Sequence, residues 1–389
     1  MTKKWSSRLT FFAFVVLMVG LGSNDSLREI FSTIFQEHFS LTTTQLGLIV
    51  TASYIGNLVF LLVGGNLSTR FSKKRVLQVL ILIWMAALAL FAFTSNYTVL
   101  LIGMALALGS STLLNTTMNL ITPLLFATAP GFFVNFLFFT QEIGTSGSQY
   151  ILGSHADGFA FWQHTNLVLL ILGAVAFVLL LFCNVPEEAA APADAPAQKG
   201  GYDWRIIVPY VLVFGFYFIA EHGVMNWMVA YGVDGLGLPQ ASAAKYLSVF
   251  FGGMMIGRLC LSPLVDKLGA LKSLAAFGGV SCVLYLIGSL GGAVTMPIWA
   301  ISGLSFSILY PTLVMSIRLY FPAQQVSGAA GTILSIASLA DILFNVGFGK
   351  LVDMTGYAVS IRVLPLSALA FFIVFILFTK FCKPTQKLK

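Results

Sequence analysis

Apolar runs long enough to cross a bilayer, about 20 residues each, recur from Leu9 to Phe381 with short polar breaks between them. They predict twelve helices, over residues 9–36, 43–68, 76–95, 98–124, 131–155, 165–184, 204–232, 240–264, 271–290, 293–318, 325–350 and 359–382. Strands of a membrane barrel would give segments of about 10 residues with alternating polarity, whereas these runs are longer and continuously apolar. The expected fold class is an all-α membrane protein. The basic start, Lys3, Lys4 and Arg8 before FFAFVVLMVGLG, imitates a secretory signal, but no small-residue cleavage site follows cleanly and the run continues through Asn24, Asp25, Arg28 and Glu29. The first helix is therefore expected to be retained.

Composition agrees with the pattern. Of 389 residues, 58% are hydrophobic and 9% are Asp, Glu, Lys or Arg, against roughly 25% charged residues in soluble domains. So few charges cannot coat a water-soluble globule, and the apolar content excludes disorder. Cys183, Cys260, Cys282 and Cys382 lie in or beside apolar runs and read as packing residues, not as a disulfide framework. Lys and Arg set the orientation. With the N-terminus inside, the inner segments hold Lys3, Lys4, Arg8, Arg70, Lys73, Lys74, Arg75, Lys199, Arg205, Lys267, Lys272, Arg318, Lys380, Lys383, Lys387 and Lys389, or 16 of the 21 basic residues. Both termini are expected in the cytoplasm and the protein in a cell (inner) membrane. The net charge of +7 follows from this bias and from anionic lipid, so no nucleic-acid partner is inferred.

The stretch Val185-Pro-Glu-Glu-Ala-Ala-Ala-Ala-Pro-Ala-Asp-Ala-Pro-Ala-Gln-Lys-Gly-Gly201 is polar and rich in Pro and Ala. It reads as a cytoplasmic linker over 185–203, between a six-helix bundle at 1–184 and another at 204–389. Duplicated transporters have this organisation. Leu67-Ser-Thr69-Arg70-Phe-Ser-Lys-Lys-Arg75 after helix two matches Leu264-Val-Asp266-Lys267-Leu-Gly269-Ala-Leu-Lys272 after helix eight at an offset of 197. Nearly the same offset relates Asp25 to Glu221 (196) and Glu142 to Asp341 (199).

A mid-membrane carboxylate costs roughly 2.5 to 3.5 kcal/mol on insertion scales, so Asp25, Glu142, Glu221 and Asp341 need a reason to be there. Loading and unloading a proton is one, and all four are candidates for proton coupling. Structural pairs are the alternative: Asp25 with Arg28, and Asp266 with Arg258. Polar residues at helical spacing predict the wall of a watery cavity. Ser53 and Asn57 lie on helix two, Ser111, Asn115 and Asn119 on helix four, and Gln141, Thr145 and Gln149 beside Glu142 on helix five. Glu221 accompanies Tyr217, Asn226 and Trp227, and Ser335, Ser338, Asp341 and Asn345 form one stripe of helix eleven. The candidates for solute binding are Asn24, Asn115, Asn119, Gln141, Tyr217, Glu221, Asn226, Trp227, Tyr310 and Asn345, because amides and acids supply the paired donors and acceptors a polyhydroxylated solute needs. Hydrogen bonding between helices explains Ser and Thr equally well. Gly252-Gly253-Met-Met-Ile-Gly257 reads as close helix packing.

An intramembrane enzyme is the other class. Gly144-Thr-Ser146-Gly147 resembles the serine motif of rhomboid proteases and His222 is a candidate base, but twelve duplicated helices do not suit that family. No H-E-x-x-H, G-x-S-x-G or Walker motif occurs, so neither an enzyme nor a metal or organic cofactor is expected.

The loop pattern G-x-x-D-R/K-x-G-x-x-K/R resembles the signature of the major facilitator superfamily. The second copy keeps Asp266 and Gly269, while the first has Thr69 in place of the Asp. Arg70, Asp266, Lys267 and Arg258 are the gating candidates on this resemblance, and a positive-inside loop explains the same charges. Within the superfamily, the chain resembles the fucose permease group of fucose, galactose and glucose cation symporters. The resemblance rests on Asn24-Asp25 followed by Phe39-Ser-Leu-Thr-Thr-Thr-Gln-Leu-Gly-Leu-Ile49, on Leu114-Asn-Thr-Thr-Met-Asn119, and on Asn135 with Gly144. Ala220-Glu221 with Trp227, Ile256-Gly-Arg258 and Ser307-Ile-Leu-Tyr310-Pro311-Thr312 extend it. It implies the major facilitator fold and monosaccharide symport with a proton, or alternatively sodium, with Asp25 carrying the proton and Glu221 facing the sugar. Asn115 stands where fucose permease has a second functional Glu, Phe138 replaces a sugar-binding Gln, and Glu142 and Asp341 occupy positions of small residues, so fucose itself is not the expected sugar.

The expectation is thus a monomeric secondary transporter of a neutral small polar solute, working by alternating access. An anion is disfavoured by four acids without a central Lys or Arg. The competing reading is a proton antiporter exporting cationic or amphipathic compounds.

Overall fold

The computed structural model describes residues 3–126, 130–186 and 203–384, all without strands. By backbone contacts the chain separates into two compact units, Met1–Asp194 and Ala195–Lys389. Most of the expected linker, 187–202, lies outside the described residues. The first unit contains α1 (Lys3–Ile30), α2 (Ser32–Phe39), α3 (Thr43–Arg70), α4 (Lys73–Phe93), α5 (Tyr97–Leu125), α6 (Pro130–Ile151) and α7 (Phe159–Phe182). The second contains α8 (Trp204–Ala230), α9 (Gln240–Leu268), α10 (Ala270–Leu290), α11 (Met296–Ile301), α12 (Gly303–Phe306), α13 (Leu309–Ser316), α14 (Ala323–Thr355), α15 (Tyr357–Ser360) and α16 (Val363–Phe381).

Eleven stretches among the described residues are long and apolar enough to span a membrane. The expected fifth span, α6, has 22 residues but carries Gln141, Glu142, Thr145 and Gln149, and does not stand among the eleven.

Three expected spans are interrupted, each for a local reason. Helix 9–36 breaks at Phe31, where the Ser32 hydroxyl donates to the Glu29 carbonyl at 2.9 Å, competing with the backbone donor that would continue the helix. Span 293–318 is split into α11, α12 and α13, with a break at Ser307 and Ile308. Pro311 has no N–H for the carbonyl four residues back, which is that of Ser307. Pro365 acts likewise on Ile361, where α15 gives way to α16.

The packing partners repeat between units. In the first, α1 packs on α6, α3 on α5 and α4 on α7; in the second, α8 packs on α14, α9 on α12 and α10 on α16. The two acid-bearing helices of each unit are therefore direct neighbours. Small residues let them approach. A Cβ on Gly22 would meet the Gln141 carbonyl, and one on Gly144 the Val19 carbonyl. In the second unit a Cβ on Gly257 would meet Ser307, and one on Gly303 the Phe250 carbonyl. The glycine run of α9 is thus a packing surface, as its spacing suggested. Cys183 and Cys282 are buried and Cys382 is half-buried, whereas Cys260 is exposed and fills no core position.

Candidate functional site

Each unit holds one polar network. In the first, α1 presents Asp25 and α5 reaches it: the Ser111 hydroxyl donates to Asp25 Oδ2 at 3.1 Å, and Asn24 Nδ2 donates to Oδ1 at 3.4 Å. Ser111, Asn115 and Asn119 stand one turn apart on α5, so one face offers three polar groups in a row. Asn119 donates to Asn115 Oδ1 and Asn115 Nδ2 donates to Gln141 Oε1 on α6, both at 2.6 Å. Glu142, the next residue of α6, is half-buried. A cavity of about 20 Å³ lies between Asn24, Asp25, Arg28 and Ser53, with Met104 and Trp162 among its apolar walls. That is room for one water molecule with polar partners on one side.

Arg28 bears on the alternative pairing of Asp25 and corrects one expectation. Its guanidinium pairs with Glu29 at 2.7 Å and lies 5.2 Å from the centre of the Tyr54 ring, so its ion pair is with Glu29, where the alternative structural reading had Asp25. Glu29 is 2% exposed, making it a further buried acid that the sequence reading passed over. Arg28 also sets a cation beside Asp25, against the expectation of none.

In the second unit, His222 Nδ1 on α8 lies 2.7 Å from Asp341 Oδ2 on α14. The imidazole also stacks on Phe218, with ring centroids 5.1 Å apart and planes 6° from parallel. One turn further along both helices, Asn345 Oδ1 accepts from Asn226 Nδ2 at 3.3 Å and from the Trp227 indole N–H at 3.0 Å. Asn345 Nδ2 donates back to the Asp341 carbonyl at 2.9 Å. Residues 222 and 226 of α8 and 341 and 345 of α14 thus form one polar seam. Trp227, Tyr217 and Asn345 are fully buried within it and Tyr310 is 37% exposed, stacked on Tyr217 at 6.3 Å. Glu221 is buried, and Arg258 of α9 lies within electrostatic reach of it. His222, considered from sequence only as a protease base, was missed as the partner of Asp341. Its i, i+4 relation to Asn226 was the available signal.

Two residues of the rhomboid-like motif serve helix packing: Gly144 seats α6 against α1, and Thr145 donates to the Gly22 and Gln141 carbonyls at 3.2 Å each.

Of the gating candidates, Lys267 is exposed, while the side chains of Arg70 and Asp266 lie outside those described. The backbone around them is informative. Gly269 ends α9 and begins α10 at φ 82°, with its N–H on the Val265 carbonyl at 2.8 Å. Leu351-Val352-Asp353-Met-Thr-Gly356 repeats Leu264-Val265-Asp266-Lys-Leu-Gly269, and Gly356 has φ 78° with its N–H on Val352 at 2.8 Å. This further copy of the motif escaped the sequence reading. In the first unit Ser72 replaces the glycine and caps α4 through Arg75 N instead.

The sequence profile of the Major Facilitator Superfamily matches residues 9–339. The L-fucose-proton symporter of Escherichia coli (strain K12) is 24% identical over 333 residues, covering 74% of this chain and 75% of that protein. The glucose/galactose transporter of Brucella abortus biovar 1 (strain 9-941) is 27% identical over 344 residues, covering 82% and 81%. The crystal structure of a D-xylose-proton symporter superposes with a TM-score of 0.77 at 16% identity, over 99% of both chains. Sixteen α-helices and eleven apolar spans among the described residues, the like packing of the two units and the profile match lead to one assignment: the chain is a multi-pass membrane protein of the Major Facilitator Superfamily.

Proposed function

We infer that this protein is a proton-coupled symporter for a neutral monosaccharide, acting by alternating access of its two units in a cell (inner) membrane with both termini cytoplasmic. It acts as a carrier without chemical turnover of the solute. The names of its relatives, an L-fucose-proton symporter and a glucose/galactose transporter, support sugar symport over antiport. The observation that carries the proposal is Asp25, a carboxylate on α1 held by Ser111 and Asn24 beside a water-sized cavity. A carboxylate so placed keeps hydrogen-bond donors when ionised and accepts a proton when the cavity is hydrated. The amide relay Asn119, Asn115 and Gln141 offers donors and acceptors to sugar hydroxyls.

A sugar acid is the second reading, favoured by Arg28 beside Asp25 and Arg258 within reach of Glu221, which offset the negative charge. Proteoliposomes given an inward proton gradient, or separately a sodium gradient, decide between them. The proposal expects uphill uptake of D-glucose, D-galactose or D-xylose driven by protons. Uptake of D-glucuronate alone supports the second reading, sodium-driven uptake moves the coupling ion, and ethidium efflux without sugar movement refutes symport.

A further inference from the structure

We propose that His222 and Asp341 form a second proton-binding site, within the second unit, and that its proton travels with the solute alongside the one on Asp25. The proposal rests on the symport reading for its transport arm and on geometry alone for the site.

Asp341 is 3% exposed and its Oδ1 has no hydrogen-bond partner. A carboxylate so enclosed is tolerated only if its charge is balanced nearby. The balancing group is His222, 2.7 Å from the other oxygen. One proton held on the imidazole leaves the pair with no net charge; removing that proton leaves an uncompensated buried anion. The surrounding charges do not supply the balance. The adjacent Glu221 is within electrostatic reach of both Asp341 and His222, and around it stand Tyr217 of α8, Tyr285 of α10 and Tyr310 of α13, all neutral or anionic. Glu221 is in turn within electrostatic reach of His222 and of Arg258 of α9, which both offset its charge. Lys245, Arg318, Lys350, Arg362 and Lys380, together with Asp234 and Asp353, are exposed.

The side chain of His222 is 24% exposed, against 4% for Asp341. The imidazole is therefore the entry and exit for the proton, with one nitrogen on the carboxylate and the ring edge toward more open surroundings. Histidine is the side chain suited to exchanging a proton near neutral pH. The site is peculiar to the second unit: by the repeat offsets His222 falls on Ser26, whose hydroxyl donates to the Ser23 carbonyl of its own helix.

Two measurements test this. His38, His155 and His164 are exposed, and replacing each with Gln leaves His222 as the sole imidazole for 15N solid-state NMR in lipid. At pH 7 the resonances of an imidazolium are expected, and those of a neutral ring once D341N is added. A neutral ring from pH 5 to 8, or spectra indifferent to D341N, overturns the site. The second measurement is the reversal potential of D-galactose-coupled current in proteoliposomes. Two charges per galactose are expected for the unmutated protein and one for H222Q, a twofold drop, with coupling through Asp25 retained. One charge per galactose in both proteins overturns the travelling proton. If no sugar drives current at all, symport fails while the spectroscopic arm still decides whether the pair binds a proton.

Discussion

Ser111 on α5 donates its hydroxyl to Asp25 on α1 across 3.1 Å, joining helices that are otherwise 86 residues apart in sequence. The contact orients the carboxylate toward the cavity it shares with Asn24 and Ser53. A hydrogen bond to a charged group contributes about 1.5–3 kcal/mol. Removing it with S111A is expected to lower uphill sugar accumulation several-fold while the protein still folds. D25N should abolish accumulation yet leave exchange of labelled for unlabelled sugar partly intact. Undiminished accumulation in D25N removes Asp25 from coupling.

Glu221 lies within electrostatic reach of Tyr217, Tyr285 and Tyr310. E221A is expected to weaken sugar binding at least tenfold, whereas S335A, on an exposed face of α14, leaves it unchanged. Isothermal calorimetry on detergent-solubilised protein measures both, and equal affinity in all three proteins excludes Glu221 from the site.

Asn345 accepts from Asn226 and Trp227 together. In N345A the buried indole N–H loses its acceptor, at a cost of about 1–3 kcal/mol. W227F alone removes the donor as well as some packing, so the double variant N345A/W227F should be less destabilised than the sum of the single changes. Thermal unfolding of the four proteins yields the coupling energy, and strict additivity argues against the bond.

Close helix approach sets a steric limit. G22V forces side-chain atoms onto the Gln141 carbonyl and should lower the unfolding temperature, overpacking costing about 1–3 kcal/mol. The turn glycines act differently: G269A and G356A place a Cβ at φ 82° and 78°, a strain of order 1–3 kcal/mol. S72G, at the corresponding turn of the first unit, should lose only a few tenths of a kcal/mol.

Lys74 at the start of α4 donates to the carbonyls of Leu181 and Cys183 at 3.0 and 2.7 Å, satisfying acceptors at the end of α7. Burial pushes the Cys183 thiol above its ordinary value, with Thr10 and Lys74 acting in the opposite sense. A raised value means less thiolate at neutral pH, so maleimide labelling of Cys183 should be slow at pH 7.5 and climb only in more alkaline solution than a free thiol requires. K74Q, by freeing the end of α7, should raise the labelling rate throughout.

Some of this was readable without coordinates because the membrane simplifies the rules. Backbone groups in lipid must bond within a helix, so apolar length alone located the spans, and the offsets from Asp25 to Glu221 and Glu142 to Asp341 exposed the duplication. Amide spacing on helix four identified Ser111, Asn115 and Asn119 as one face. What a sequence does not carry is the direction of a side chain relative to another helix. Arg28 stands three residues from Asp25 and next to Glu29, and the tertiary structure sets its guanidinium on Glu29 and beside the Tyr54 ring. His222 and Asp341 are 119 residues apart, and nothing in their local patterns joins them. The tertiary structure does so because α8 lies along α14, setting a base and an acid that are separately costly in lipid within one hydrogen bond of each other.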